Sequence, residues 1–117
     1  MYVVKEWSFK VSDDEDYTIT IKVGEGQKGH SVFKDLNGKY VHDREELTHL
    51  LSSGRNMKGK FIRISTTASD ISPDTNKVSV SYSMNGELIE ADENPIFRDA
   101  DEDNGSVYFI TKIIFTS

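Results

Sequence analysis

Apolar and polar residues alternate with a period of two along much of the chain. Tyr17, Ile19, Ile21 and Val23 are interleaved with Thr18, Thr20 and Lys22, and Val78, Val80, Tyr82 and Met84 with Ser79, Ser81 and Ser83. Alternation of this kind puts the apolar side chains on one face of an extended strand and the polar ones on the other, as in a half-buried antiparallel sheet. Val3, Trp7, Phe9 and Val11 predict a third strand, blemished by Lys5, and residues 61–65 a fourth. Residues 106–116 are apolar at both parities, with Val107, Phe109, Ile113 and Phe115 on one side and Tyr108, Ile110 and Ile114 on the other. That predicts a central strand covered on both faces.

Asn85-Gly86 links the strand at 78–84 to Glu87-Leu88-Ile89-Glu90, and Asn37-Gly38 separates residues 30–35 from Lys39-Tyr40-Val41. Asn and Gly tolerate positive φ, so both pairs predict tight hairpins. One segment has helical spacing. Asp43 is a suitable N-cap with Glu46 in capping-box position, Leu47, Leu50 and Leu51 share a face, and Gly54 ends the run. The expected fold is therefore mainly β, an antiparallel β-sandwich or barrel-like sheet of about seven to eight strands with one short α-helix at about residues 43–53. The 117 residues suit a single domain spanning 1–117.

Composition narrows the function classes. The chain has no cysteine, which excludes disulfides, thiol catalysis and cysteine zinc sites. The apolar stretch at 107–115 is too short to span a bilayer and is broken by Lys112. The first residues lack the basic start and apolar run of a secretory signal. A cytoplasmic protein without membrane attachment is the expectation. The net charge of −6 is uneven: residues 1–60 balance ten acids with ten bases, and the excess lies in residues 61–117. An acidic chain argues against nucleic acid and favours a cation or a basic protein partner.

The acid is densest at residues 87–103, where eight carboxylates face one base, Arg98. Asp92, Glu93, Asp99, Asp101, Glu102 and Asp103 are the candidate partner-binding residues. Asp99, Asp101 and Asp103 alternate before Asn104-Gly105, and oxygen donors at such spacing suit calcium, which takes six to eight of them. Asp13-Asp14-Glu15-Asp16 would be a second loop of the same composition. The histidines offer less. Glu46 and His49 would share one helix face, but nothing in the sequence points to the further ligands a metal needs.

Gly24-Glu25-Gly26-Gln27-Lys28-Gly29 matches G-x-G-x-x-G directly after a strand. A dinucleotide fold needs a long helix next, and Asn37-Gly38 breaks the chain too soon. Residues 23–34 resemble the glycine-rich loop of protein kinases, which joins two antiparallel strands, and Asn37-Gly38-Lys39-Tyr40-Val41 prolongs the likeness. It then departs: Val32 falls one residue late, Arg44 stands where the kinase lysine is expected, and no His-Arg-Asp or Asp-Phe-Gly follows. The resemblance implies nucleotide binding through Gly24, Gly26 and Gly29, whereas the residues themselves predict a hairpin loop.

No nucleophile–base or paired-carboxylate spacing is picked out, so no catalytic residue is assigned. The leading expectation is a non-enzymatic protein-binding or interaction domain, such as an inhibitor, immunity-type protein, adaptor or assembly subunit, using its acidic loop. Self-association through a sheet edge is a variant. A calcium-binding β-sandwich and a nucleotide-binding protein are the alternatives.

Overall fold

The computed structural model describes residues 1–25, 27–71, 75–100 and 105–117. Ten strands and one helical turn follow in the order β1 (Tyr2–Lys10), β2 (Asp16–Gly24), β3 (Lys28–Lys34), β4 (Tyr40–Arg44), β5 (Glu46–Ser53), α1 (Gly54–Met57), β6 (Phe61–Ser69), β7 (Lys77–Met84), β8 (Glu87–Leu88), β9 (Ile96–Asp99) and β10 (Ser106–Thr116). The first sheet has the order β1-β10-β6-β3-β4. The second has the order β5-β2-β7-β8, with β9 lying on the same edge of β7 as β8. The fold is thus a β-sandwich, as the alternation predicts. Strands β4, β8 and β9, of two to five residues, are too short to announce themselves by periodicity.

The two inner faces make the core. Phe33, Ile62, Ile64, Phe109, Ile113 and Phe115 come from the first sheet and Ile19, Ile21, Leu47, Val80, Tyr82 and Ile96 from the second, each essentially removed from water. Each such side chain stabilises the fold by about 1.5–3 kcal/mol relative to exposure. Trp7 meets the Tyr82 ring edge-on at 5.3 Å. Burial pushes the Tyr82 phenol up to about 12, and its hydroxyl accepts a 2.9 Å hydrogen bond from Thr111.

Both Asn-Gly pairs form the expected turns. Asn85 and Gly86 have φ of 52° and 81°, a two-residue turn with the left-handed backbone that fits strand twist. At Gly38, φ is 82°, and the Asp35 carboxylate accepts the backbone N–H of Asn37 and of Lys39, each at 2.9 Å.

The expected helix at 43–53 is instead β4, a single left-handed residue and β5. Leu47 and Leu51 are both buried, but a spacing of four is common to one helix face and one strand face. Leu50 decides the matter, being 61% exposed on the other side of the strand. β5 pairs with β2 from Glu46 to Ser53, with a bulge at Leu51, and Thr48, Ser52 and Ser53 have little helix propensity to oppose it. The only helical turn among the described residues, α1, begins at Gly54, where the helix was expected to end.

Chain crossings close the two sides of the sandwich. Glu45 (φ 48°) carries the chain from the first sheet to the second, donating to Gly29 O at 2.9 Å and accepting from Val23 N at 2.7 Å. Nearby, His49 meets Asp35 at 3.4 Å. On the opposite side β1 is the edge strand and pairs in parallel with β10, the one departure from antiparallel pairing among the described strands. No helix among the described residues is long and apolar enough to cross a membrane.

Candidate functional site

Strand β10 explains where the site lies. Its inward residues are buried as expected, but its other face is open rather than doubly covered: Tyr108 is 39% exposed, and Ile110 and Ile114 are half-buried. The reason is topological. β10 has hydrogen-bonded neighbours on both edges, while the layer opposite covers only one face of the first sheet.

Register across that outer face assembles four rows. Tyr2, Tyr108, Thr67, His30 and Arg44 are successive partners across the five strands. Below them run Val4, Ile110, Ser65, Val32 and His42. The third row is Glu6, Lys112 and Arg63, with Lys34 paired to Tyr40 beyond. Ser8, Ile114 and Phe61 make the fourth.

Aromatic rings and cations therefore alternate on one surface. Tyr2 is 71% exposed, Tyr40 68% and Phe61 50%. Tyr2 and Tyr108 stack at 5.1 Å, Lys112 Nζ lies 4.4 Å from the Phe61 ring centroid, and Lys34 Nζ lies 5.9 Å from that of Tyr40. Lys34, Arg44, Arg63 and Lys112 face outward here, against Glu6 as the acid among the described residues of these rows. Glu6 answers Lys112 at 3.6 Å.

The face ends in a recess of about 340 Å³ lined by Lys28, His30, Arg44, Glu45 and the hydroxyl-bearing Thr67 and Ser69. His30 Nε2 and His42 Nδ1 stand 3.4 Å apart at its rim. Such an arrangement holds anionic groups by charge and flat groups by stacking; it has no nucleophile paired with a base.

The acidic candidates are placed differently. Lys5 points inward from edge strand β1 and meets Asp92 at 3.1 Å and Glu93 at 3.0 Å. Asp92 also accepts the Trp7 indole N–H at 2.8 Å, and the Arg98 guanidinium holds Glu93 in a fork. An inward charge on an edge strand, satisfied by the neighbouring segment, blocks pairing with a foreign strand. The apparent blemish in the β1 pattern is thus the anchor of a clasp between β1 and the segment joining β8 to β9.

Arg98 first, then Lys5, holds the Glu93 carboxyl down at about 2, and hydrogen bonds from Lys5 and Trp7 hold that of Asp92 below the usual range. A carboxyl depressed in the folded state stabilises it above its ordinary value and loses that contribution as pH falls. For Glu93 the window runs from about 4.5 down to about 2. Glu93→Gln is expected to flatten the fall of melting temperature with pH inside that window. At pH 7 it should cost about 1 kcal/mol, roughly 4 °C, since the pair is partly solvated. Thermal melts between pH 7 and 2 check both; an unchanged pH profile would show that the clasp contributes nothing.

Asp99 closes β9 opposite Lys77. Asp101, Glu102 and Asp103 lie outside the described residues, and so does most of the proposed calcium loop. Among the described residues no three His, Asp or Glu side chains are grouped to hold a metal ion. Asp13 pairs with Lys58 and Arg55, and Asp14 meets Arg55 at 3.5 Å. Glu46 and His49, an odd number of residues apart on β5, point to opposite faces rather than sharing one.

Residues 24–29 do not form a hairpin. They carry the chain from β2 in the second sheet to β3 in the first, and Gly26 lies outside the described residues. Gln27 is buried, donating to Asp70 Oδ1 (3.1 Å), Thr75 O (3.2 Å) and Lys77 O (3.0 Å) and accepting from Ile71 N (2.7 Å). A Cβ on Gly29 would stand 2.4 Å from a Val23 methyl and 3.0 Å from Thr67 O. The glycine at this end of the motif lets two strands approach closely. Compared with known proteins, the chain matches no family model and no curated relative.

Proposed function

We propose that this domain is a non-enzymatic interaction module that engages an anionic partner through the outer face of the first sheet. One observation carries the reading. In a chain of net charge −6, exposed aromatic rings and outward bases are interleaved on a single face, with Glu6 among them and Glu45 at the recess as the acids. Exposed aromatic and arginine side chains are the residues most enriched where proteins bind others. The polarity is the reverse of that expected from residues 87–103, because Asp92 and Glu93 already have partners within the domain. The calcium reading of Asp99, Asp101 and Asp103 rests on composition alone.

A heparin column is a neutral test of polyanion affinity. The wild-type protein is expected to be retained at low salt despite its acidity and to elute as salt screens the contact. Replacing both Arg44 and Arg63 by glutamate should abolish retention. Lys22→Glu with Lys77→Glu changes net charge equally on the other sheet's exposed residues and should leave retention nearly intact. Wild-type protein emerging in the void volume at low salt would end the proposal.

A further inference from the structure

Resting on that reading, we infer that the anionic partner is a single-stranded nucleic acid, its bases stacked on Tyr2, Tyr40 and Phe61 and its phosphates held by Arg44 and Arg63. An acidic polypeptide would satisfy the cations, but a single strand supplies a flat base beside every phosphate, which matches three exposed rings interleaved with cations. Duplex DNA is the wrong shape, since its major groove admits a helix or a two-stranded ribbon and not a five-stranded face. Unstacked bases on an open sheet, with cations following the backbone, are how single strands are held without reading a groove.

Dimensions agree. Side chains on one face recur every ~6.8 Å along a strand and every ~4.8 Å between strands, so the Tyr2–Arg44 row spans about 19 Å, enough for several nucleotides. The recess at the end of that row has Lys28, His30 and Arg44 on its walls against the single carboxylate of Glu45, a balance that suits one phosphate. The acidity of the whole chain does not oppose this. Charges beyond a Debye length of about 8 Å are screened at physiological salt, so the local surface sets the field a strand meets.

The test is fluorescence anisotropy with a labelled twelve-nucleotide oligo(dT) and oligo(rU), beside labelled polyglutamate, and heparin retention of the same variants. Oligonucleotide binding that weakens steeply with salt is expected. Tyr2→Ala and Tyr40→Ala, both at exposed positions, should each weaken it roughly ten-fold, a much larger loss than either causes in heparin retention. Far-ultraviolet circular dichroism confirms that each variant is folded. Retention on heparin with oligonucleotide affinity no better than polyglutamate, or indifferent to both tyrosines, would overturn the nucleic-acid inference and leave an acidic protein as the partner. Failure to bind any polyanion would overturn the proposed function itself.

Discussion

Gly54→Ala is expected to be the most damaging single-methyl change in the molecule, destabilising it by about 4 kcal/mol or more. On helix propensity alone the sign would be opposite, because alanine is favoured over glycine by about 1 kcal/mol within a helix. Gly54 opens the one helical turn and lies against the β1–β2 connection. A Cβ there would stand 1.9 Å from Ser12 O and 2.6 Å from its carbonyl carbon. Neither chain can retreat. Ser12 N donates to the Tyr17 hydroxyl at 2.8 Å, and Gly54 N donates to Glu15 O at 2.8 Å, so separating the segments breaks the bonds that join them. Urea denaturation should show the midpoint collapse, or no folded baseline at all. Gly59→Ala is the contrast: its Cβ meets nothing within 4 Å, and only its φ of 78° opposes a side chain, at about 1 kcal/mol. Equal effects at the two glycines would show that close approach at Ser12 is not what Gly54 provides.

Gln27→Ala is expected to cost about 3 kcal/mol, far more than a surface-loop residue. The side-chain amide replaces a strand pairing the backbone cannot make where the chain changes sheets. It bonds to the backbone of Ile71, Thr75 and Lys77 and to the Asp70 carboxylate. Truncation removes a buried amide and takes this partner from the part-buried backbone groups of Ile71, Thr75 and Lys77, and the desolvation penalty of such groups exceeds the worth of the bonds themselves. Denaturant melts measure it. A loss below about 0.5 kcal/mol, the range of ordinary surface changes, would return residues 24–29 to the status of a free loop available for a ligand.

Strands whose two faces differ were plain in the sequence. β2 and β7 place Ile19, Ile21, Val78, Val80 and Tyr82 in the core as their alternation requires, because burial on one face is what writes a period of two. The pattern at 43–53 fits a helix as well as a strand because Leu47 and Leu51 satisfy both periods, and only pairing with β2 selects the strand. The binding face was hidden for a related reason. Apolar residues at both parities of β10 signal two buried faces, and an exposed patch built from Tyr108, Ile110 and Ile114 writes the same pattern. Its members come from five strands scattered along the chain, and no local window contains them. Tyr2 and Val4, apolar at positions where β1 should be polar, were the available hint. The acidic segment misled in the opposite way, since composition counts Asp92 and Glu93 but does not show Lys5, Trp7 and Arg98 turned toward them.

The parallel pairing of β1 with β10 has a consequence for how the chain is made. Every hydrogen-bonded partner of β1, from Tyr108 to Thr116, is synthesised after the other described strands. Until then the apolar side of β1, with Val3 and Trp7, has no sheet to join. β6 likewise lacks one of its two neighbours until β10 appears. Closing a loop of nearly the whole chain is entropically unfavourable, and topologies dominated by such distant pairings fold in milliseconds to seconds rather than microseconds. The first sheet is therefore completed only after β10 has been synthesised. The face proposed here to bind a partner exists only once β10 has emerged and joined β1 to β6.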